Sequence, residues 1–170
     1  KIITTGGQGG MLVSRDRQVV DRVRDYRDQI RIDSSQASFN FTLTDMQAAM
    51  GRVQLEKLDK LLARRETIFD AYKEAGFDIL DSDHTGVSVV RHGAILRTEN
   101  AQLVIKQLRD SGIECIVPVD SLDSMAAQSA PRAAKLSQST VSLPIYPHLS
   151  NDQVRETIAA VSDALEACAK

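Results

Sequence analysis

The sequence predicts an α/β protein, and three features of its 170 residues support this fold class. A glycine-rich loop, a short apolar run and an amphipathic helix pattern occupy the first part of the chain. A long helical pattern follows from Thr44 to about Ala75. After Gly76, short strand candidates alternate with helical patterns, which is typical of a small α+β unit. We therefore predict three domains or segments, at residues 1–43, 44–75 and 76–170.

The first part contains one strand candidate and one helix. Met11-Leu12-Val13-Ser14 has the apolar character of a short buried strand. From Asp16 onward, apolar side chains such as Val19 and Val23 recur on one helical face, and this pattern runs to about Arg31.

The second part is predicted to be one long helix that links two domains. Thr44 and Gln47 have the spacing of a capping box, in which each residue satisfies a free N–H group of the other. Gly76 suits the left-handed position that follows a last helical turn. The Met and Leu stripe between these ends predicts a core or dimer-interface surface, whereas Arg64 and Arg65 are predicted to face solvent.

The third part mixes strands and helices. Strand candidates lie at residues 77–80, 87–90, 93–96 and 113–117. Helical patterns lie at residues 100–111, closed by Gly112, at residues 131–136, and from Ser150 to about Ala169. Ser150 and Gln153 form a second capping box, and two prolines keep residues 142–147 extended.

Composition argues against several partner classes. The net charge of −2 and the aromatic content of 4% do not fit a nucleic-acid binder, which usually has a basic, aromatic-studded patch. The sequence contains no long uncharged apolar run of the kind that spans a membrane, and no secretion signal. Cys115 and Cys168 lack metal-ligand spacing, as do the three histidines, so we expect no metal and a reduced, cytoplasmic location.

Three segments together resemble one enzyme family. They are Lys1-Ile2-Ile3-Thr4-Thr5-Gly6-Gly7-Gln8-Gly9-Gly10-Met11, Asn40-Phe41-Thr42-Leu43-Thr44-Asp45-Met46-Gln47-Ala48-Ala49, and Ser142-Leu143-Pro144-Ile145-Tyr146-Pro147. In this order the segments are similar to the nucleotide-sugar aminotransferases of the DegT/StrS type, which use pyridoxal 5′-phosphate (PLP). The resemblance implies the C-terminal portion of a fold-type-I PLP transferase: the end of the large domain, the linking helix and the small α+β C-terminal domain.

Lys1 matches the family's cofactor lysine, so the resemblance makes it both the catalytic residue and a cofactor-binding residue. Only a primary amine can form the covalent bond to the PLP aldehyde, and the same amine then serves as an acid or base. Asn40 matches the residue that reaches the PLP phosphate of the neighbouring subunit. If this role carries over, the active site requires a homodimer.

The resemblance implies an amino-acid donor, glutamate, and a keto-sugar nucleotide acceptor, in the synthesis of amino sugars for polysaccharides or antibiotics. The sequence departs from the family at the glycine loop, which is one residue longer and lacks an acidic residue. It also departs at Thr42, where Arg is common, and at residues 116–119, which replace a His-Tyr-Pro-like stretch. These differences affect substrate contacts, and no residue is assigned to the substrate.

Two other functions stay open at this point. The chain could be a non-catalytic module that dimerises through its long helix or regulates a partner. It could also belong to the family's PLP-dependent sugar dehydratases, although these usually carry His where this chain has Lys1. Because the resemblance places half of the cofactor pocket outside this sequence, we expect the 170-residue chain to be inactive alone.

Overall fold

The computed structural model describes residues 2–28, 39–40, 42–82, 86–118 and 131–168. The chain forms two compact units, Lys1–Leu58 and Asp59–Lys170. The helices are α1 (Arg17–Asp28), α2 (Asp45–Glu56), α3 (Leu58–Glu74), α4 (Ala101–Asp110), α5 (Pro131–Gln138) and α6 (Asn151–Cys168), and the strands are β1 (Ala94–Arg97) and β2 (Thr140–Leu143). The three-part division at residues 1–43, 44–75 and 76–170 stays a prediction.

The first unit contains α1, α2 and the glycine-rich loop. Helix α1 begins after Asp16, whose side chain accepts a hydrogen bond from the Gln18 N–H at 2.9 Å. The predicted continuation of this helix to Arg31 lies outside the described residues. Neither α1 nor α2 contains a buried residue, so the described residues of the first unit include no hydrophobic core.

The predicted strand at residues 11–14 is wrong. The described backbone has no strand there, and Met11 and Val13 are 79% and 82% exposed. A strand needs a neighbour for its N–H and C=O groups. Among the described residues, the paired strands lie only in the second unit.

The predicted single long helix is two helices. Lys57 separates α2 from α3, and its N–H donates to the carbonyl oxygens of Gln54 and Leu55 at the end of α2. The apolar stripe also divides at this point. Met46 and Leu55 on α2 are 80% and 50% exposed, whereas the stripe reaches a core only in α3.

Helices α3 and α4 both end at glycines, as predicted. Gly76 has a φ of 84° and its N–H donates to the Lys73 carbonyl at 2.9 Å, while the Phe77 N–H reaches the Tyr72 carbonyl at 3.4 Å. Gly112, at φ 76°, ends α4 with the same pair of bonds. This is the Schellman arrangement, and it needs a residue that tolerates the left-handed region.

The second unit contains a two-stranded antiparallel sheet flanked by two extended segments. Strand β1 pairs with β2 in a register that sets Ala94 opposite Leu143. Single antiparallel bridges join Ile79 to Leu96 on one side and Ile116 to Ser142 on the other. The strand candidates at 77–80 and 113–117 are therefore extended segments with one bridge each, and residues 87–90 form no strand.

Helices cover this sheet and close the core. Helix α4 packs against α6 and β2. The second capping box is present, since the Ser150 N–H donates to Gln153 Oε1 at 2.9 Å and the Gln153 N–H donates to Ser150 Oγ at 3.1 Å. The largest fully buried side chains are Tyr72, Phe69, Ile68, Leu96, Leu108, Val104, Val141 and Val161.

The prediction that Arg64 and Arg65 face solvent is wrong. Arg65 is only 8% exposed and donates to the carbonyl oxygens of Arg91 and His92, at 3.2 and 3.1 Å. Arg64 is partly buried and donates to the Leu149 carbonyl at 2.5 Å. Both guanidinium groups therefore tie α3 to loops that are distant in sequence, which a helical pattern alone does not reveal.

A charged cluster covers one side of Phe69 on α3. The Arg91 guanidinium carbon lies 3.9 Å from the centre of the Phe69 ring, in cation–π geometry. Arg91 also donates to Glu66 at 3.1 Å and to Asp81. Lys73 Nζ lies 2.7 Å from the other Asp81 oxygen. Hydrogen bonds from Lys73 and then Arg91 hold the pKa of Asp81 far below its usual range.

We expect Asp81 to make the unfolding free energy pH-dependent. Because its folded-state pKa is depressed, its contribution is present above the unfolded pKa of about 3.9 and is lost as the pH falls below that value. Asp81 retains 18% side-chain exposure, so solvent screening limits the contribution to about 1 kcal/mol. Urea unfolding of the wild type and Asp81→Asn should differ at pH 7, and the difference should shrink progressively as the pH falls below about 4 toward the depressed pKa of folded Asp81. A constant difference across this pH range would contradict the assignment.

Candidate active site

Lys1, to which the resemblance assigns the cofactor, lies outside the described residues. The loop that follows is described from Ile2 onward. In this loop the Thr4 hydroxyl oxygen accepts a hydrogen bond from the Gly6 N–H at 3.1 Å. Gly6 has a φ of 75°, which glycine adopts without steric cost. The chain therefore turns directly after the segment that contains Lys1.

The glycine-rich loop lies against α2. A Cβ atom placed on Gly6 would stand 3.0 Å from Met50 Cε, and one placed on Gly7 would stand 3.2 Å from Gln47 Nε2. Distances this short leave no room for larger side chains at these two positions unless α2 side chains move. The first and second family-like segments, separated in sequence by the whole of α1, thus meet in the first unit.

Asn40 is exposed, and its side chain is oriented by a local turn. Its Oδ1 accepts a hydrogen bond from the Thr42 N–H at 3.0 Å and a second one from the Thr42 hydroxyl. Because a backbone N–H can only donate, the atom that faces it must be the amide oxygen. The Nδ2 group donates no hydrogen bond to the described residues and is available to an acceptor such as a phosphate oxygen.

Two further contacts fix the chain on either side of Asn40. On the N-terminal side, the Phe39 N–H donates to the hydroxyl of Tyr26 on α1 at 3.3 Å. On the C-terminal side, the predicted capping box of α2 is confirmed. Thr44 Oγ1 accepts from the Gln47 N–H at 3.3 Å, and Gln47 Oε1 accepts from the Thr44 N–H at 3.2 Å. Asn40 is therefore placed between two anchored points.

The third family-like segment belongs to the second unit. The Tyr72 hydroxyl donates to the Pro144 carbonyl at 2.7 Å, which holds this extended segment against α3. Burial raises the pKa of Tyr72 to about 12, so the hydroxyl keeps its donor proton at neutral pH. Ile145 is buried, whereas Tyr146 is 48% exposed.

Two positions where the sequence departs from the family have clear structural settings. Thr42, which stands where Arg is common, uses both its N–H and its hydroxyl to hold Asn40. Ile116, within the stretch that replaces the His-Tyr-Pro-like residues, is 54% exposed. Thr42 thus supports a neighbouring polar residue, and Ile116 presents an apolar surface.

Sequence reasoning missed the roles of Thr5 and Gly51. Thr5 Oγ1 donates to the Gln8 carbonyl at 3.2 Å, and its methyl group faces Gly51 in the middle of α2. The available signal was a glycine inside a strong helical pattern, which often marks a close approach of another segment.

Within the described ranges, no group of three or more His, Cys, Asp or Glu residues could hold a metal ion. None of the helices in the described part of the chain has the length and apolar character needed to cross a membrane.

Comparison with known proteins shows the same family over nearly the whole chain. The family model described as the DegT/DnrJ/EryC1/StrS aminotransferase family matches residues 1–162. The chain is 32% identical over 170 residues to a GDP-perosamine synthase from Escherichia coli O157:H7, covering 91% of the chain and 46% of that protein. It is 30% identical to a dTDP-3-amino-3,4,6-trideoxy-alpha-D-glucose transaminase from Streptomyces venezuelae, covering 94% of the chain and 46% of that protein.

The fold agrees with a solved structure. The aminotransferase TlmJ from Streptoalloteichus hindustanus superimposes with a TM-score of 0.85 at 24% identity, covering all of this chain and 50% of that one. The predicted fold class is confirmed: the chain has the α/β architecture of the part of TlmJ that it matches. The chain spans about half the length of the curated relatives that it matches. It belongs to the DegT/DnrJ/EryC1/StrS aminotransferase family.

Proposed function

We propose that this chain is the C-terminal portion of a PLP-dependent aminotransferase that moves an amino group from glutamate to a keto-sugar nucleotide. One observation carries the proposal beyond family membership. The loop that follows Lys1 contacts α2 at Gln47 and Met50, in the same unit as Asn40. The two segments to which the resemblance assigns cofactor contacts are thus packed together. The names of the two curated relatives, which include a nucleotide-sugar transaminase, support the substrate class.

The residues present fit PLP. Asn40 offers an exposed, uncharged N–H donor whose orientation is fixed by Thr42, and such a donor suits a phosphate that other N–H groups also bind. Lysine is the side chain that carries a primary amine, the group that bonds covalently to the PLP aldehyde, and Lys1 supplies it. When bound, PLP supplies an electron sink for the rearrangement of the carbon–nitrogen bond.

The chain's own residues then do two things in this proposal. The Lys1 amine would hold PLP through its aldehyde and, as an acid–base group, would move the proton that the amino transfer requires. Asn40 holds the phosphate that belongs to the neighbouring subunit's site. The active site therefore requires a homodimer, with one residue of this pair from each subunit.

We place the enzyme in the cytoplasm. Cys115 and Cys168 are both free thiols in the structure, and unpaired thiols are typical of a reducing compartment. Burial raises the pKa of the Cys115 thiol, which keeps it protonated and unreactive. These observations support an intracellular site for amino-sugar synthesis.

The test is chemical trapping of the cofactor on its lysine. An enzyme that includes both this chain and the missing half of the family domain is incubated with PLP and reduced with borohydride. Peptide mass spectrometry should then find the cofactor on Lys1, and adding glutamate before the reductant should prevent labelling. The 170-residue chain treated in the same way serves as the control and should show no preference for Lys1 over its other lysines. Preferential label on another lysine, or no glutamate-sensitive label in the larger enzyme, would overturn the proposal.

A further inference from the structure

Gly51 occupies a position in α2 where glycine is otherwise unfavourable. It lies well inside Asp45–Glu56, and a glycine in a helix interior costs about 0.5–1 kcal/mol relative to alanine. A Cβ atom at this position would stand 3.2 Å from Thr5 Cγ2. Since carbon atoms pack best at about 3.5–4.0 Å, an alanine here would press on the threonine methyl group. Gly51 therefore makes room for Thr5.

Thr5 has close neighbours both within its own loop and on α2. Its hydroxyl donates to the carbonyl oxygen of Gln8 at 3.2 Å. A Cβ atom on Gly9 would stand 2.8 Å from Thr5 Oγ1 and 3.0 Å from Thr5 Cγ2. The threonine side chain thus fills the space between the returning loop and α2, whereas the neighbouring positions 6–10 are largely exposed.

The Thr5–Gly51 contact is stiffer than the other contacts between the loop and α2. Met50 and Gln47 meet the loop with the ends of long side chains, which can change rotamer. A β-branched threonine has restricted χ1 freedom, and the opposing surface is helix backbone. The position of the loop along α2 is therefore set by Thr5 and Gly51.

We infer that Thr5 and Gly51 are positioning residues for Lys1, setting its place relative to Asn40, an inference that rests on the function proposed above. Thr5 lies four residues after Lys1, and α2 is the helix that Thr44 caps just beyond Asn40. Neither residue contacts the cofactor in this scheme. Moving the loop along the helix would displace the lysine amine, and a displacement of about 1 Å at a reacting group can cost 10²-fold in rate.

The first experiment tests the contact itself, without cofactor. In the cofactor-free enzyme with both halves of the family domain and labelled threonine methyl groups, a nuclear Overhauser effect should connect the Thr5 methyl protons to the Gly51 α-protons. Gly51→Ala should change the Thr5 methyl shift. Gly10→Ala, where an added Cβ meets nothing within 4 Å, is the matched control and should leave that shift unchanged. Absence of the Overhauser effect would overturn the inference.

The second experiment tests positioning in the enzyme with both halves. Gly51→Ala should lower kcat about tenfold with little change in KM, because a shift of less than 1 Å costs less than the 10²-fold limit. It should also shift the pH midpoint of the lysine-linked cofactor absorbance. Thr5→Ser removes Cγ2 and keeps the hydroxyl, so the double variant Thr5→Ser/Gly51→Ala should recover kcat to within about twofold.

The outcomes separate this inference from the proposed function. A double variant as slow as Gly51→Ala would overturn positioning while leaving Lys1 trapping intact. An enzyme in which Lys1 carries no cofactor would end both the proposed function and the positioning role, although the Overhauser effect would still report the contact. A reduced kcat with an unmoved absorbance midpoint would indicate a merely structural glycine.

Discussion

Replacing Lys1 with alanine, in an enzyme with both halves of the family domain, should nearly abolish transamination. We expect kcat to fall by about 10²- to 10⁴-fold, the range that a positioned acid–base group typically contributes. Alanine can neither bond to the cofactor aldehyde nor carry the proton between carbons. Steady-state rates with glutamate and a keto-sugar nucleotide measure the loss, and the cofactor's lysine-linked absorbance should vanish with it. A Lys1→Ala enzyme that keeps both its colour and its turnover would rule out the assignment.

Lys1→Arg is the matched control for charge. It keeps a cation at the position but offers no amine that bonds to an aldehyde, so it should be as slow as the alanine variant. A mixed dimer of Lys1→Ala and Asn40→Ala subunits then tests the shared site. In the proposed homodimer, each site takes its lysine from one subunit and its asparagine from the other, so the mixed dimer would keep one intact site of the two. Failure to regain activity on mixing would contradict the role of Asn40 across the interface.

Replacing Phe69 with alanine should cost about 3–5 kcal/mol of the unfolding free energy of the chain, the usual range for a buried phenylalanine. Phe69 is 1% exposed and also provides the ring face over which Arg91 lies at 3.9 Å. The alanine variant loses burial and this contact, and it leaves a cavity beside α3. Chemical denaturation at neutral pH measures the change. Asp70→Ala, on the next and exposed position of the same helix, should stay within about 0.5 kcal/mol of the wild type.

A double-mutant cycle separates the ring contact from burial. Phe69→Leu keeps an apolar side chain in the core, and Arg91→Met keeps the stem of the arginine without its charge. The coupling energy between the two changes should be about 0.5–2 kcal/mol, the range for cation–π pairs from exposed to desolvated settings. A coupling energy of zero would mean that Arg91 acts only through Glu66 and Asp81.

Features that depend on a few neighbouring residues could be predicted from the sequence. The capping boxes at Thr44 and Ser150 and the glycine ends at Gly76 and Gly112 involve bonds within one helical turn, so their residue types determine them. The family resemblance rests on three separate segments that occur in a fixed order. Because such a combination is specific, it also predicted the fold class.

Features that depend on distant partners could not be predicted. The strand expected at residues 11–14 had the right side chains but needed a hydrogen-bonding neighbour that periodicity cannot supply. The helical pattern predicts Arg65 at the surface, because it does not show that the carbonyl oxygens of Arg91 and His92 accept hydrogen bonds from its guanidinium group. The roles of Thr5 and Gly51 depend on a contact between residues that are 46 positions apart in the sequence. Neither a threonine nor a glycine by itself indicates such a contact.

The distribution of buried side chains implies that the two units contribute unequally to the unfolding free energy of the chain. The hydrophobic core of the described residues runs from Ile68 to Ala164, entirely within the second unit, while α1 and α2 bury nothing. Cooperative unfolding arises from shared burial, so the denaturant slope of this chain should scale with the surface that the second unit exposes rather than with the full chain length. A melting temperature measured on these residues would therefore report mainly on the second unit and only weakly on the first unit, which contains Asn40.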